Sequence, residues 1–210
     1  WSLLGVKTEK PVTNAASELA NWSNEGGVGY NRYQKNIMGM WMMQSLRREF
    51  RHQYSFEELY QLAYIGRYFT SVVNVNDDRF LAPDSMIDAV KNCCERTGQQ
   101  VPQSVGEVMQ CVYRSLAECY RKAVLQLQEL TGKTYTSINI VGGGCQDRYL
   151  DRMTAQATGL PVYAGPVEGT AIGNLIVQWI ADGVFPDLAA AREAVRKSFQ
   201  VEMITRDSDI

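Results

Sequence analysis

The stretch Ile-Asn-Ile-Val-Gly-Gly-Gly-Cys-Gln-Asp at residues 138–147 joins an apolar run to three consecutive glycines and then to polar residues. The apolar run predicts a β-strand, and the polar residues predict the beginning of a helix. Glycine has no Cβ, so its backbone adopts positive φ and comes close to a flat or charged ligand. The start of a helix adds free N–H groups and a positive dipole end. The pattern predicts either a nucleotide-binding turn or a tightly packed turn without a ligand.

A second glycine-rich turn, Gly-Pro-Val-Glu-Gly-Thr-Ala-Ile-Gly-Asn at residues 165–174, follows the next predicted strand. If the two strands are neighbours, both turns lie at the same edge of the sheet, where α/β folds bind ligands. The pair therefore favours a nucleotide site more than either turn does alone. Neither turn has the Gly-Lys-Ser/Thr ending of a phosphate loop, and neither has the spacing of a dinucleotide fingerprint.

The second half of the chain alternates predicted strands and helices, which favours a layered α/β fold. Residues 1–35 read instead as short strands and turns, with Trp1 to Val6 extended. No linker, internal repeat or low-complexity stretch is visible, so we predict one domain over residues 1–210. The predicted elements of the second half are strand 137–141, helix 147–158, strand 161–164, helix 169–181 and helix 187–198.

Serine residues with an acidic residue three positions later mark the starts of three helices in the middle of the chain. The longest of these helices ends at Gly132, and its apolar residues follow helical spacing, so we expect it to pack across a sheet. The three pairs are Ser55 with Glu58, Ser85 with Asp88 and Ser104 with Glu107. A fourth helix is predicted over residues 36–51, with Asn36 as its N-cap.

Composition excludes several kinds of partner. The chain has 210 residues, a net charge of -2 and a pI near 5.5. It has no run of basic residues interleaved with aromatics, so we do not expect nucleic acid to bind. No window has the apolar length of a membrane span, and the N-terminus has no signal segment, so we predict no membrane partner and a cytoplasmic location.

The five cysteines are interpreted as buried free thiols, because their number is odd and no Cys-x-x-Cys pair occurs. Cys94 and Cys111 lie near the facing ends of two predicted helices, which leaves a disulfide between them open. The single histidine, His52, follows three arginines and is expected at the surface of a helix end. One histidine cannot form a histidine metal cluster, and we predict no metal ligands in this chain.

Several short strings occur in a fixed order between residues 1 and 174. Besides the two glycine turns, these are Trp-Ser-Leu-Leu-Gly (1–5), Asn-Glu-Gly-Gly (24–27), Lys-Asn-Ile-Met-Gly-Met-Trp (35–41) and Asp-Asp-Arg-Phe-Leu-Ala-Pro (77–83). In this order they resemble the C-terminal half of carbohydrate kinases of the FGGY family, most closely its rhamnulokinase branch. The strings at 35–39 and 142–146 are the most specific for that branch.

The resemblance implies the actin/hexokinase-like ATPase fold, also called ribonuclease H-like, with a mixed sheet flanked by helices. Two such domains close over a cleft in this family, and residues 1–210 match the C-terminal nucleotide-binding domain. The N-terminal sugar-binding domain is then the expected partner. Members of this branch use ATP and Mg²⁺ to phosphorylate the 1-hydroxyl of L-rhamnulose in rhamnose catabolism.

The resemblance also assigns individual residues. Asn36 matches a sugar contact, and Gln44 matches a glutamine that reaches the nucleotide. Gly143 matches the middle glycine of the adenosine-binding turn, which Gly142 and Gly144 complete. If Asn36 and Gln44 share one helix, they are about 12 Å apart along its axis, so that one helix serves both sugar and nucleotide. From the residues alone, Asn36 is equally an N-cap and Gln44 a solvated side chain.

The catalytic base of the family is an aspartate that matches no residue here and is expected upstream of Trp1. The chain begins at Trp1, without methionine and within a strand-like run, so we interpret it as an excised piece. We therefore expect the 210-residue chain alone to be inactive. Two alternatives stay open: another FGGY kinase, of the xylulose, fuculose or glycerol type, or an actin-like nucleotide switch without catalysis.

Overall fold

The computed structural model describes residues 2–27 and 29–208, and this part of the chain folds as α/β. Trp1, which the sequence placed at the start of a strand, lies outside the described residues. The strands are β1 (Ser2–Thr8), β2 (Ser23–Gly26), β3 (Asn31–Ile37), β4 (Ile138–Ile140), β5 (Val162–Ala164) and β6 (Glu202–Ile204). The helices are α1 (Ala15–Leu19), α2 (Trp41–Glu49), α3 (Phe56–Ile65), α4 (Met86–Arg96), α5 (Val105–Thr131), α6 (Arg148–Thr158), α7 (Gly169–Ala181) and α8 (Leu188–Ser198).

The strands form two three-stranded sheets in the described residues. The first sheet has the order β1-β3-β2, and both of its pairs are antiparallel. The second sheet has the order β4-β5-β6, in which β4 and β5 are parallel and β6 is antiparallel to β5. The second sheet is thus mixed, and the expected adjacency of the two strands before the glycine turns is confirmed.

The middle helices begin and end where their local signals predict. Ser55 and Ser104 each form a complete capping box with the glutamate three residues later. Ser85 accepts a hydrogen bond from the backbone N–H of Asp88 and begins α4. Gly132 ends α5 in the left-handed conformation, at φ 66°, where a residue without Cβ is favoured.

The long helix α5 packs mainly against other helices. It contacts α3 and α6 along much of its length. Its C-terminal part reaches the first sheet, where Leu127 joins Trp22 and the fully buried Tyr33 of β3 in a small apolar cluster. The expectation that α5 packs across a sheet is therefore correct only for its C-terminal end.

The predicted helix start at Asn36 is wrong, because Asn36 lies within strand β3. Residues 31–37 pair with β1, and Asn36 lies opposite Leu3. Helix α2 begins only at Trp41, after the closely packed Gly39, where an added Cβ would collide with Ser2 Oγ. Asn36 and Gln44 consequently lie on different elements, and the single helix proposed to carry both does not exist.

The thiols and the histidine have the predicted environments. All five cysteines are free, and four of them are buried. Cys94 Sγ and Cys111 Sγ lie 3.9 Å apart, far beyond the length of a disulfide bond. The disulfide between them that the sequence left undecided is therefore not formed. His52 is exposed directly after α2.

Candidate nucleotide-binding site

The triple glycine forms a turn whose first residue needs glycine for its conformation. Gly142 has φ 79° and ψ -167°, a combination that side chains with a Cβ disfavour. A short 3-10 helix, Gly143–Gln146, follows, and α6 begins directly after it. The turn therefore leads from the end of β4 to the N-terminus of α6, as the sequence predicted.

The second glycine turn packs directly against the first. The backbone N–H of Gly142 donates to the carbonyl of Pro166 at 3.2 Å, and that of Gly165 donates to Ile140 at 2.8 Å. A Cβ at Gly169 would lie 2.9 Å from Val141 Cβ, and one at Gly165 would lie 2.6 Å from the carbonyl oxygen of Gln200. Close packing therefore explains the glycines at 165 and 169 without a ligand.

Gly143 differs from these packed glycines. It is exposed, and a Cβ added to it would meet no atom within 4 Å. At Gly144 the nearest atom would be Ile140 Cγ2 at 3.6 Å, an ordinary contact. Packing within the described chain therefore does not explain a glycine at 143. Without a side chain at this position, the backbone of the turn is open to the approach of a flat group.

The two helices that leave the turns differ in capping. Asp147 caps α6, because its Oδ1 accepts from the backbone N–H of Leu150 at 3.0 Å. Glu168 precedes α7 without a side-chain cap bond. The first N–H groups of α7 therefore have no side-chain cap among the described residues, whereas a carboxylate already occupies the start of α6.

Two carboxylates follow the first turn, Asp147 half-buried and Asp151 fully buried. Asp147 accepts a hydrogen bond from Tyr113 at 2.9 Å. Asp151, one helical turn later, is fully buried, and neither of its carboxylate oxygens has a hydrogen-bond partner among the described residues. Burial and the neighbouring charge of Asp147 raise the pKa of Asp151 to about 7. Sequence reasoning missed Tyr113 and Asp151, since each occupies an ordinary position of a helix pattern and only the folded chain brings them to the turn.

The two other predicted site residues are exposed and stand apart from this network. Asn36 projects from the outer face of the first sheet, and Gln44 from α2. In residues 2–27 and 29–208, neither side chain hydrogen-bonds to the glycine turns. Their roles stay predictions.

Neither a metal cage nor a membrane-crossing helix occurs in the described part of the chain. No group of three or more His, Cys, Asp or Glu residues there is placed to hold a metal ion. None of the helices described is long and apolar enough to cross a membrane.

Two glycine turns that meet at the edge of a mixed sheet are typical of a nucleotide-binding α/β domain. Residues 1–181 match the model of the FGGY family of carbohydrate kinases, C-terminal domain, and the chain belongs to this family. Proteins named rhamnulokinase are similar to it over nearly its whole length. The protein from Halalkalibacterium halodurans is 44% identical over 203 residues, 96% of this chain. Those from Oceanobacillus iheyensis and Bacillus subtilis are 41% and 38% identical over 96% and 98% of this chain.

The chain spans less than half the length of these curated relatives, namely 43%, 43% and 42% of the three proteins. The relatives therefore carry a further region of larger size that this chain does not match.

Proposed function

We propose that this chain is the C-terminal, nucleotide-binding domain of a two-domain sugar kinase with the actin/hexokinase-like ATPase fold. The whole protein would transfer the γ-phosphate of ATP to the 1-hydroxyl of L-rhamnulose. Support comes from the rhamnulokinase relatives at 38–44% identity and from their greater length. The N-terminal half of that protein is the proposed partner, which supplies the sugar site and the catalytic base.

Nucleotide binding is proposed at the first glycine turn. The observation that carries this placement is the open space above Gly143, in contrast to the tightly packed Gly165 and Gly169 of the second turn. The adenosine would lie against the backbone of Gly142, Gly143 and Gly144. The second turn would support the first through the bond from Gly142 to Pro166.

Asn36 and Gln44 are proposed as the sugar and nucleotide contacts. Both side chains are exposed, so neither is committed to the core of the described chain. Because they lie on β3 and α2, they can be placed independently of each other. This replaces the earlier expectation of a single helix that serves both ligands.

Mg²⁺ is proposed to arrive with the ATP phosphates. Mg²⁺ in kinases is bound by one or two carboxylates together with substrate phosphates and water, and needs no cage of protein ligands. When bound, the ion would neutralise phosphate charge. This chain's own residues would orient the adenosine end.

The nucleotide site can be tested by filling the space above the turn. We expect Gly143→Leu in the full-length kinase to abolish measurable ATP binding in calorimetry, because its side chain would occupy the ligand's place. The melting temperature should hardly change, since the added Cβ meets nothing. Gly26→Leu is the matched control, since Gly26 also has open space above it but lies in β2. Normal ATP affinity in Gly143→Leu would refute the proposed site.

The division of labour between the two halves can be tested by comparing the full-length protein with the 210-residue chain. A coupled assay for ADP release should detect phosphorylation of L-rhamnulose by the full-length protein and none by the chain alone. Turnover by the chain at the full-length rate would contradict the proposal. Preference for xylulose, fuculose or glycerol in a substrate panel would identify another FGGY kinase. ATP binding without any sugar phosphorylation would identify a nucleotide switch.

A further inference from the structure

One hydrogen bond, between a buried tyrosine and a half-buried aspartate, links the first glycine turn to the long helix. Tyr113 is almost fully buried in α5, and its hydroxyl donates to Asp147 Oδ2 at 2.9 Å. Asp147 follows the 3-10 helix of the turn directly, and its other oxygen, Oδ1, accepts from the N–H of Leu150. One carboxylate thus holds the exit of the turn to both α5 and α6.

A second tyrosine lies beside this bond without touching the turn. Tyr149 packs edge to face against Tyr113, with ring centroids 4.8 Å apart. Its hydroxyl donates to Gln110 Oε1 at 2.7 Å, which is a bond between α6 and α5. The two buried phenols are therefore alike in burial and in bond length, but Tyr113, and not Tyr149, hydrogen-bonds to Asp147 at the exit of the turn.

The shifted pKa of Tyr113 keeps its hydroxyl as the donor and leaves Asp147 as the acceptor of this hydrogen bond. Burial, followed by the charge of Asp147, raises the pKa of Tyr113 well above its usual range, so the phenol stays a donor. Burial also raises the pKa of Asp147, whereas the hydrogen bonds from the Leu150 N–H and the Tyr113 hydroxyl lower it. A carboxylate in such surroundings stays in place only if these bonds are made.

We infer that Tyr113 and Asp147 are positioning residues that hold the 142–146 turn in the shape that receives the nucleotide. The inference rests on the proposed function. Three consecutive glycines give the turn many backbone conformations, and ordering them costs conformational entropy. A bond at the exit of the turn reduces that cost before the ligand arrives. If only a fraction of the molecules has the ordered turn, the apparent affinity falls by that fraction.

The test compares Tyr113→Phe with Tyr149→Phe in the full-length kinase. Each variant removes one buried hydroxyl from the same aromatic pair, so we expect similar falls in melting temperature. Loss of a hydrogen bond to a carboxylate corresponds to about a tenfold change in an equilibrium constant. We therefore expect Tyr113→Phe to raise the KM for ATP about tenfold. The KM for L-rhamnulose and kcat should change less than about twofold. Tyr149→Phe should leave the KM for ATP unchanged.

Conservative and disruptive variants of Asp147 provide the second measurement. Asp147→Asn keeps a capping oxygen and a polar group for Tyr113, so it should retain most of the ATP affinity. Asp147→Ala loses both and should raise the KM for ATP at least as much as Tyr113→Phe does.

The inference is overturned if Tyr113→Phe and Tyr149→Phe affect the KM for ATP equally, or if all three kinetic constants change together. It is also overturned if Asp147→Asn and Asp147→Ala behave alike. Failure of the proposed function would look different, because the wild-type protein itself would then show no ATP-dependent phosphorylation of a sugar.

Discussion

Helices α5 and α7 are both rich in apolar residues, but many residues of α5 are buried and most residues of α7 are not. α5 has buried residues from Gly106 to Leu127. In α7 only Ile176 is buried, although most of that helix is apolar. Leu175, Val177 and Trp179 are each about two-fifths exposed, at 45%, 39% and 43%. The elements packed against a helix therefore decide how much of it is buried, since apolar content alone would favour burial of both α5 and α7.

The neighbours of the two helices explain the difference. α5 lies between α3 and α6, and Leu116 and Val112 join the main apolar core there. α7 packs against α8, and the approach of Gly169 to Val141 holds its first residue close to the glycine turn. The remaining apolar surface of α7 therefore faces solvent in the described chain.

The largest expected effect is on the free energy of unfolding, when one apolar side chain of α5 and one of α7 are each truncated to alanine. Leu116→Ala in α5 should lower the free energy of unfolding by about 2–5 kcal/mol, because it opens a cavity in a closed core. Val177→Ala in α7 should cost less than about 1 kcal/mol, because part of that side chain is already in water. Urea unfolding of both variants measures the contrast. Equal costs would show that α7 is packed as tightly as α5.

A second expected effect concerns pH and distinguishes the α5–α6 interface from the surface of α7. Burial raises the pKa of Asp151 to about 7, whereas an unfolded aspartate titrates near 3.9. The folded state therefore binds this proton more tightly. The resulting stability is complete below about pH 4 and is lost as the pH rises through about 7.

Asp151→Asn removes this pH dependence, because an amide does not ionise. Relative to wild type, the variant should gain stability between about pH 4 and pH 8, by at most about 4 kcal/mol. Urea unfolding at several pH values measures the gain. Asp182→Asn, at the exposed end of α7, is the control and should show no such gain. A constant difference between Asp151→Asn and wild type would contradict the prediction.

The smallest expected effects come from two glycines of α7 and have opposite signs. A Cβ at Gly169 would press on Val141 at 2.9 Å, so Gly169→Ala should destabilise the protein by about 1–3 kcal/mol. A Cβ at Gly173 would meet nothing, so Gly173→Ala should stabilise it by about 0.5–1 kcal/mol through helix propensity. Thermal unfolding separates the two. Destabilisation by Gly173→Ala would show that α7 is covered at that point.

Features that depend on nearby residues could be predicted from the sequence. The capping boxes at Ser55 and Ser104 are formed as predicted, because each involves residues within one helical turn. The position of the first glycine turn after β4 was also predictable, since it needs only the order of strand, glycines and helix. The buried free thiols followed from cysteine number and spacing alone.

Features that depend on distant residues could not be predicted. Asn36 belongs to a strand because residues 31–37 pair with β1, and nothing near Asn36 in the sequence reveals that pairing. Strand β6 has only three residues and exists through its pairing with β5. The Tyr113–Asp147 bond joins residues 34 positions apart. The packing demand on Gly169 likewise becomes visible only when α7 meets Val141, and that on Gly165 only when Gln200 lies beside it.

The position of Trp179 on α7 gives the molecule a natural optical reporter. Its indole is partly exposed and lies 6.1 Å, between ring centroids, from Phe185 in an edge contact. Indole emission moves to shorter wavelengths when water leaves its surroundings. Trp22 is buried beneath the first sheet and stacked on Tyr33, so its emission should not respond to events at α7. A blue shift that disappears in Trp179→Phe would therefore record, without any label, the moment at which another surface covers this helix.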